Sequence, residues 1–321
     1  MPLIPLMREG GALLRWDRGA SGNAAEDRSG LVWGTYKPDA TTTGVLDGVA
    51  RGSLVVGGVL RLQTPGQILE NVDLYNCTIK PEAPGIIIRN VWCHGRTPKA
   101  SPGINDHYPL IDMTSSLAND TIIEDTTLIP DPANESVMAY GIKGGGFTCK
   151  RVHIARVVDG IQTWRDPVIM EASYVTDLTR FDPDVTRTAG DASHNDGMQL
   201  QGGSTTDIRG CNIDVTVTPW TSRSLTCIIA TTNYAAHAWI KIRNTWAAGG
   251  SIPLNILGGA AAPTSGLQMT DNTITLGQEN YGGGTPYAHA IIGTATQATM
   301  TNTGNVDTAS GVGPIIVKNG G

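Results

Sequence analysis

The chain has 321 residues, a net charge of −6, 40% hydrophobic content, 40 glycines and only two phenylalanines, Phe147 and Phe181. This supplies a sizeable core with few bulky residues to fill it, which favours many short strands over packed helices. With charged residues at 16% and no basic cluster, neither a nucleic-acid partner nor a membrane anchor is expected, and no 18-residue apolar run offers a membrane span.

At the amino terminus, Met1-Pro2-Leu3-Ile4-Pro5-Leu6-Met7-Arg8-Glu9 holds two prolines and an early acid. A basic start followed by a long apolar run is missing, so no secretory signal is expected. Residues 1–40, with Gly10-Gly11, Ala20-Ser21-Gly22-Asn23-Ala24-Ala25, Trp16 and Trp33, read as an extended arm without a core of its own. Such an arm docks either on the rest of its own chain or on a neighbour. Residues 41–66 are expected to cap the first coil of a strand stack, because its open end exposes an unpaired edge.

Residues 67–321 carry a repeat of the form apolar, any, Asn or a substitute, small, any, apolar. It runs through Leu69 to Leu74, Leu74 to Ile79, Ile88-Arg89-Asn90-Val91-Trp92-Cys93, Ile123 to Leu128, Cys149 to Ile154, Met170 to Val175, Ile208 to Ile213, Ile242 to Ala247, Met269 to Ile274 and Met300 to Asn305. Before most of these units stands another short apolar strand, such as Leu110-Ile111, Tyr140-Gly141-Ile142, Gly160-Ile161-Gln162, Gly197 to Leu200 or Leu254-Asn255-Ile256. Units of two or three strands with no helix between them bury their apolar faces only by stacking. The asparagine position suits a left-handed turn that resets the inside/outside alternation, so Asn71, Asn76, Asn90, Asn244 and Asn302 are expected to form an internal ladder. The fold predicted is all-β, a parallel β-helix solenoid of roughly nine or ten coils and on the order of 45 Å in length, with the extended arm at its amino end. A β-propeller fits less well, since its blades need antiparallel hairpins at a steadier period. The five cysteines exclude a complete disulfide framework and read as small buried hydrophobes, with Cys77 and Cys211 at one repeat position.

Between the units lie polar insertions, His94 to Tyr108, Asp131 to Val137, Leu178 to Asn195 and Gln278 to His289, where binding residues concentrate on a rigid rod. Asp159-Gly160 and Asp196-Gly197 precede the first strand of nearby coils, so their carboxylates fall on one edge. Paired carboxylates can hydrolyse glycosides, with His194 as a proton carrier and Arg165 or Arg187 holding an anionic sugar. The competing structural reading is that both aspartates cap turns and the glycines supply positive φ. The outward repeat position holds Trp92, His153, Tyr174 and Trp246, with Thr78, Thr127, Asn212 and Thr273 in other coils. Aromatic rings on a flat face suit sugar stacking, or packing under a loop or a subunit. Trp164 and Trp220, each beside a turn, are further candidates for a glycan groove. Asp106-His107, Asp112 and His94 lack any ligand spacing, so neither a metal nor a cofactor is expected.

Asp39-Ala40-Thr41-Thr42-Thr43-Gly44-Val45, the coils, and His194-Asn195-Asp196-Gly197-Met198-Gln199 together resemble the right-handed parallel β-helix proteins of actinobacteria and their bacteriophages, within the pectate-lyase-like superfamily. Asn195-Asp196-Gly197 also resembles part of the Asn-Thr-Asp-Gly motif of polygalacturonases, whose other motifs are missing. The resemblance covers residues 36–321 and implies a function in one of two classes. One is a virion protein of a phage, a tail spike, fibre-like component or decoration protein that contacts host-surface polysaccharide. The other is a polysaccharide hydrolase or lyase. With no signal peptide and an arm suited to attachment, the first is expected. Its partners would be other virion proteins through the arm, further copies of itself, as a trimer in the tail-spike group, and a host glycan.

Overall fold

A computed structural model describes residues 28, 30–104, 106–186, 192–216, 225–256, 266–277, 288–293, 300–307, 315 and 317–320. The expectations placed on residues 1–27 of the arm, on Arg187, on Trp220 and on most of the insertion at 278–289 lie outside them. The chain is a parallel β-helix. Twenty-five strands join in one continuous sheet, and no α-helix occurs among the described residues.

β1 (Gly52–Leu62) lies on β2 (Ile68–Pro81), which is followed by β3 (Ile87–Cys93). Each later coil then lays down three short strands. They are β4 (Tyr108–Met113), β5 (Thr121–Glu124) and β6 (Thr127–Leu128); β7 (Ala139–Gly144), β8 (Phe147–Lys150) and β9 (His153–Ala155); β10 (Ile161–Thr163), β11 (Val168–Glu171) and β12 (Tyr174–Thr176). The next coils hold β13 (Asn195–Leu200), β14 (Gly203–Arg209) and β15 (Asn212–Val215); β16 (Leu225–Ala230), β17 (His237–Arg243) and β18 (Trp246–Gly249); β19 (Leu254–Ile256), β20 (Leu267–Thr270) and β21 (Thr273–Ile274). β22 (Ala290–Gly293), β23 (Thr301–Thr303), β24 (Val306–Asp307) and β25 (Val317–Gly320) complete the stack. From β4 onward each strand pairs with the strand three further on, giving three faces that begin with β4, β5 and β6.

Alternation of period two sends every second side chain inward, where equivalent residues stack coil upon coil. Ile111, Ile142, Ile161, Met198, Ile228 and Leu254 line the first face. Ile88, Ile123, Cys149, Met170, Ile208 and Ile242 line the second, and Cys93, Leu128, Ile154, Val175 and Ile213 the third. All are buried. All five cysteines are free and buried, but Cys77 and Cys211 do not share a position. Cys77 pairs with Gly58 of β1, whereas Cys211 follows the corner between the second and third faces.

That corner is one left-handed residue per coil: Asn71, Asn90, Asp125, Arg151, Ala172, Gly210, Asn244, Asp271 and Gly304, all at φ between 46° and 68°. Its amide donates to the next coil, as Asn244 does to the carbonyl of Thr270 at 3.0 Å. The continuous asparagine ladder does not form. Asn90 donates to Asn71 Oδ1 at 2.8 Å, but Asp125 and Arg151 follow and pair at 2.6 Å. Asn76 turns at a different corner, and Asn302 lies within β23 while Gly304 takes the turn, so the last unit is shifted by two residues from its expected register. A shorter ladder stands one residue beyond the corner, where Asn272 Nδ2 donates to Asn305 Oδ1 at 2.7 Å with both residues buried.

The described part of the arm docks on its own rod. Trp33 lies under the guanidiniums of Arg209 and Arg243, at 5.6 and 5.5 Å. From there the chain descends across several coils, the first and last of which do not touch one another. Asn212 Nδ2 donates to the carbonyl of Pro38 at 2.8 Å, Gly44 N–H to Arg151 O at 2.8 Å, Val45 N–H to Thr127 Oγ1 at 3.0 Å and Leu46 N–H to Asn90 Oδ1 at 2.9 Å. Arg51 then pairs with Asp73 at 2.7 Å. Segment 41–66 is thus divided between this strap and β1, whose outward Val55 and Val59 are exposed.

Candidate functional site

The Asp-Gly pairs lie at the entry to the first face. Pairing of β10 with β7 and β13 puts Tyr140, Asp159 and Asp196 one above the other, and pairing of β13 with β16 adds Thr226. Asp159 Oδ1 accepts the backbone amide of Asp196 at 2.9 Å, and Asp196 Oδ1 accepts the hydroxyl of Thr226. The expected adjacency of the two carboxylates is therefore present, but their surroundings differ. Asp159 faces an outer groove, while Asp196 does not line it.

The glycines beside them do not supply positive φ. A Cβ on Gly160 would lie 2.5 Å from the carbonyl oxygen of Gly197 and 2.7 Å from Val175 Cγ1, and one on Gly197 would lie 2.4 Å from Ile213 Cγ2. Gly141 has the same constraint, 2.7 Å from Ile154 Cγ2. These glycines let the first face approach the third across a narrow core.

Two residues beyond each glycine the side chain points outward, so Lys143, Gln162 and Gln199 form a polar row in register. Gln162 Nε2 donates to Gln199 Oε1. The row floors a groove of about 540 Å³ whose lining includes Thr114, Tyr140, Asp159, Trp164, Asp184, His194 and Tyr234. Trp164 and Tyr234 meet at 6.0 Å with their rings tilted by 39°. Lys143 Nζ stands 5.3 Å from the Tyr140 ring and 5.8 Å from that of Trp164. Burial pushes the Lys143 ammonium below the usual lysine range, and the carboxylates of Asp159 and Asp112 pull it partly back.

Asp184 and His194 come from the long insertion after Leu178, and Asn195 pins that loop. Its Nδ2 donates to the carbonyls of Val158 at 2.9 Å and Thr179 at 2.7 Å, and its Oδ1 accepts from Ser193 Oγ at 2.9 Å. The asparagine of the Asn-Asp-Gly sequence thus holds the loop, and exposed His194 is carried at the groove's rim.

Trp92, Tyr174 and Trp246 do share an outward column, with His153 and Thr127, but on the third face. Thr78 is not in it and pairs instead with Val59 of β1. The strap crosses this column at Thr127 and Asn212. His153 stacks on Tyr174 at 5.1 Å, and burial pushes its imidazole down to about 4 against the upward pull of Asp39. Trp92 stacks on His94 at 4.7 Å and donates to Ile129 O at 3.3 Å. Strap and ring contacts cover part of the column, its three aromatic members Trp92, Tyr174 and Trp246 staying partly exposed, and of the five proposed sugar-contacting residues Trp164 alone lines the groove. Arg165 donates to the carbonyls of Met113, at 2.7 Å, and Ser115, and it pairs with Asp166. It anchors the turn after β4 and does not line the groove.

Among the described residues no group of three or more His, Cys, Asp or Glu is placed to hold a metal ion. Asp106 pairs with Lys99, Asp112 with Lys80 and His94 with Asp131. The groove residues that sequence reasoning missed, Lys143, Gln162 and Gln199, do carry a signal. Gly141-Ile142-Lys143, Gly160-Ile161-Gln162 and Gly197-Met198-Gln199 repeat the order glycine, apolar, polar.

Comparison with protein-family models, with curated proteins and with solved structures finds no match.

Proposed function

We propose that this is a bacteriophage particle protein that holds a host-surface polysaccharide in the groove of its first face. One observation carries the binding part. Trp164 and Tyr234 offer ring surface beside a row of side-chain amides and an ammonium, over a span of several coils. Sugars need that pairing, since their C–H faces pack on aromatic rings and their hydroxyls take directional hydrogen bonds. The particle part rests on the resemblance carried by Asp39 to Val45 and His194 to Gln199. The test is calorimetric titration with purified host-envelope polysaccharides. Trp164→Ala is expected to weaken binding roughly tenfold or more, whereas Trp246→Ala, on the third face, leaves it unchanged. Equal affinities for the two variants would sink the reading.

A second reading, cleavage of the same polysaccharide, draws on Asp159 and His194 lining one groove. Prolonged incubation followed by assay for new reducing ends or unsaturated uronates decides it. Product formation that Asp159→Asn abolishes and Asp196→Asn merely slows would favour the enzyme.

A further inference from the structure

The second face carries two outward columns along the rod. Pairing of its strands aligns Glu70, Arg89, Glu124, Lys150, Glu171 and Arg209, coil upon coil, with alternating sign over these six members, until Arg243 stands against Arg209 and the alternation ends. Beside this ladder, two residues earlier in each coil, runs a column of Ile68, Ile87, Ile122, Thr148 and Ile169, which gives way to Asp207 and Lys241 in the coils that follow. Ile122 is 39% exposed. A flat, β-branched stripe facing solvent invites pairing.

We propose that this face is where two copies of the chain meet, antiparallel, about a two-fold axis that passes between Glu124 and Lys150. The inference does not depend on what the groove holds. The symmetry argument selects the orientation. A two-fold axis lying in the interface and perpendicular to the rods lays each column on itself in reverse order. Because these six alternating members are even in number, reversal about their midpoint sets every acid among them opposite a base. Glu124 meets Lys150 of the second copy, and Arg89 meets Glu171. The apolar column follows the same rule, with Ile87 opposite Ile169. An axis parallel to the rods and passing through the ladder would instead set each charge against its own kind, which repels.

The state of the ladder within one chain fits this. Its ends are already engaged, with Arg89 on Glu70 at 2.5 Å and Arg209 on Glu171 at 2.8 Å. Glu124 and Lys150, at the centre, make no ion pair among the described residues and are partly exposed. The charges left for a partner are the ones nearest the proposed axis.

Sedimentation or light scattering at protein concentrations up to about 100 µM is expected to give twice the 33.8 kDa of the chain, with added salt favouring the monomer. Lys150→Glu is expected to weaken the dimer on the order of 100-fold, since symmetry spoils two contacts at once. Combining it with Glu124→Lys in the same chain restores opposite charges across the axis, and with them the dimer. Orientation is read by cross-linking. Ile87→Cys with Ile169→Cys gives a disulfide-linked dimer under oxidation, and Ile87→Cys alone gives none. A monomer throughout, a trimer, failure of the double charge variant to recover association, or linkage through Ile87→Cys alone would each overturn the proposal.

Discussion

At Gly160 a single hydrogen atom decides whether two faces can close. The core between the first and third faces is so narrow that a methyl group there meets both Val175 and the backbone of the next coil. Gly160→Ala is expected to cost about 1–3 kcal/mol through overpacking, read as a lowered urea midpoint with an unchanged slope. His153 shows the opposite use of burial. Its folded value is about 4, whereas an unfolded histidine titrates near 6.5. In that interval the unfolded chain takes up a proton that the folded chain refuses, so stability present above about pH 6.5 is lost as pH falls toward 4. His237, also lowered by burial, adds to the same fall. Replacing His153 with Phe should therefore flatten part, but not all, of the decline in midpoint between pH 7 and pH 5; an unaltered decline would refute the assignment.

The strap and the corner column show how elements constrain each other. Gly44 has φ of +77°, and a Cβ there would lie 2.4 Å from Thr127 Oγ1, so Gly44→Val should lift the strap from the rod. Limited proteolysis would then cut within residues 30–51 while the coils stay intact; resistance equal to the parent's would contradict the docking described. At this scale the sequence was most readable where one rule acted alone. Period-two alternation with an interrupting turn located the second and third strands of most coils. It failed at Met300 to Asn305, because an asparagine stood where a turn residue was sought while Gly304, two positions later, has the lower cost in a left-handed conformation. Arg151 and Ala172 also occupy that corner, although neither residue type favours it, so register imposed by the neighbouring coils outweighs local preference. The site was harder to read. Asp159 and His194 were found from their motif, yet whether Asp196 faced the groove depended on Thr226 in the next coil, and the sugar-stacking role assigned to Trp92, Tyr174 and Trp246 depended on which of three faces the strap would cover. Both are questions of contact between segments far apart in sequence, which spacing alone does not record.

Taken whole, the molecule is a stack in which each coil gains most of its contacts from the two beside it. Amide exchange should therefore be slowest in the middle coils, around β7 to β15, and should quicken toward β1 and β25; uniform protection along the rod would mean that it opens as one unit instead. The strap is the exception to this nearest-neighbour rule, because it fastens coils that never meet. Its consequence is one of timing during synthesis. Pro38 is held by Asn212, 174 residues later, and at about 5–20 residues per second the ribosome delivers that partner only some ten to thirty seconds afterwards. The end of the strap around Pro38 must therefore wait undocked while coils assemble beneath it, although Leu46, Val45 and Gly44 find Asn90, Thr127 and Arg151 earlier. A nascent chain arrested before Asn212 would carry finished rungs with the strap fastened at its Gly44 end and loose at its Pro38 end.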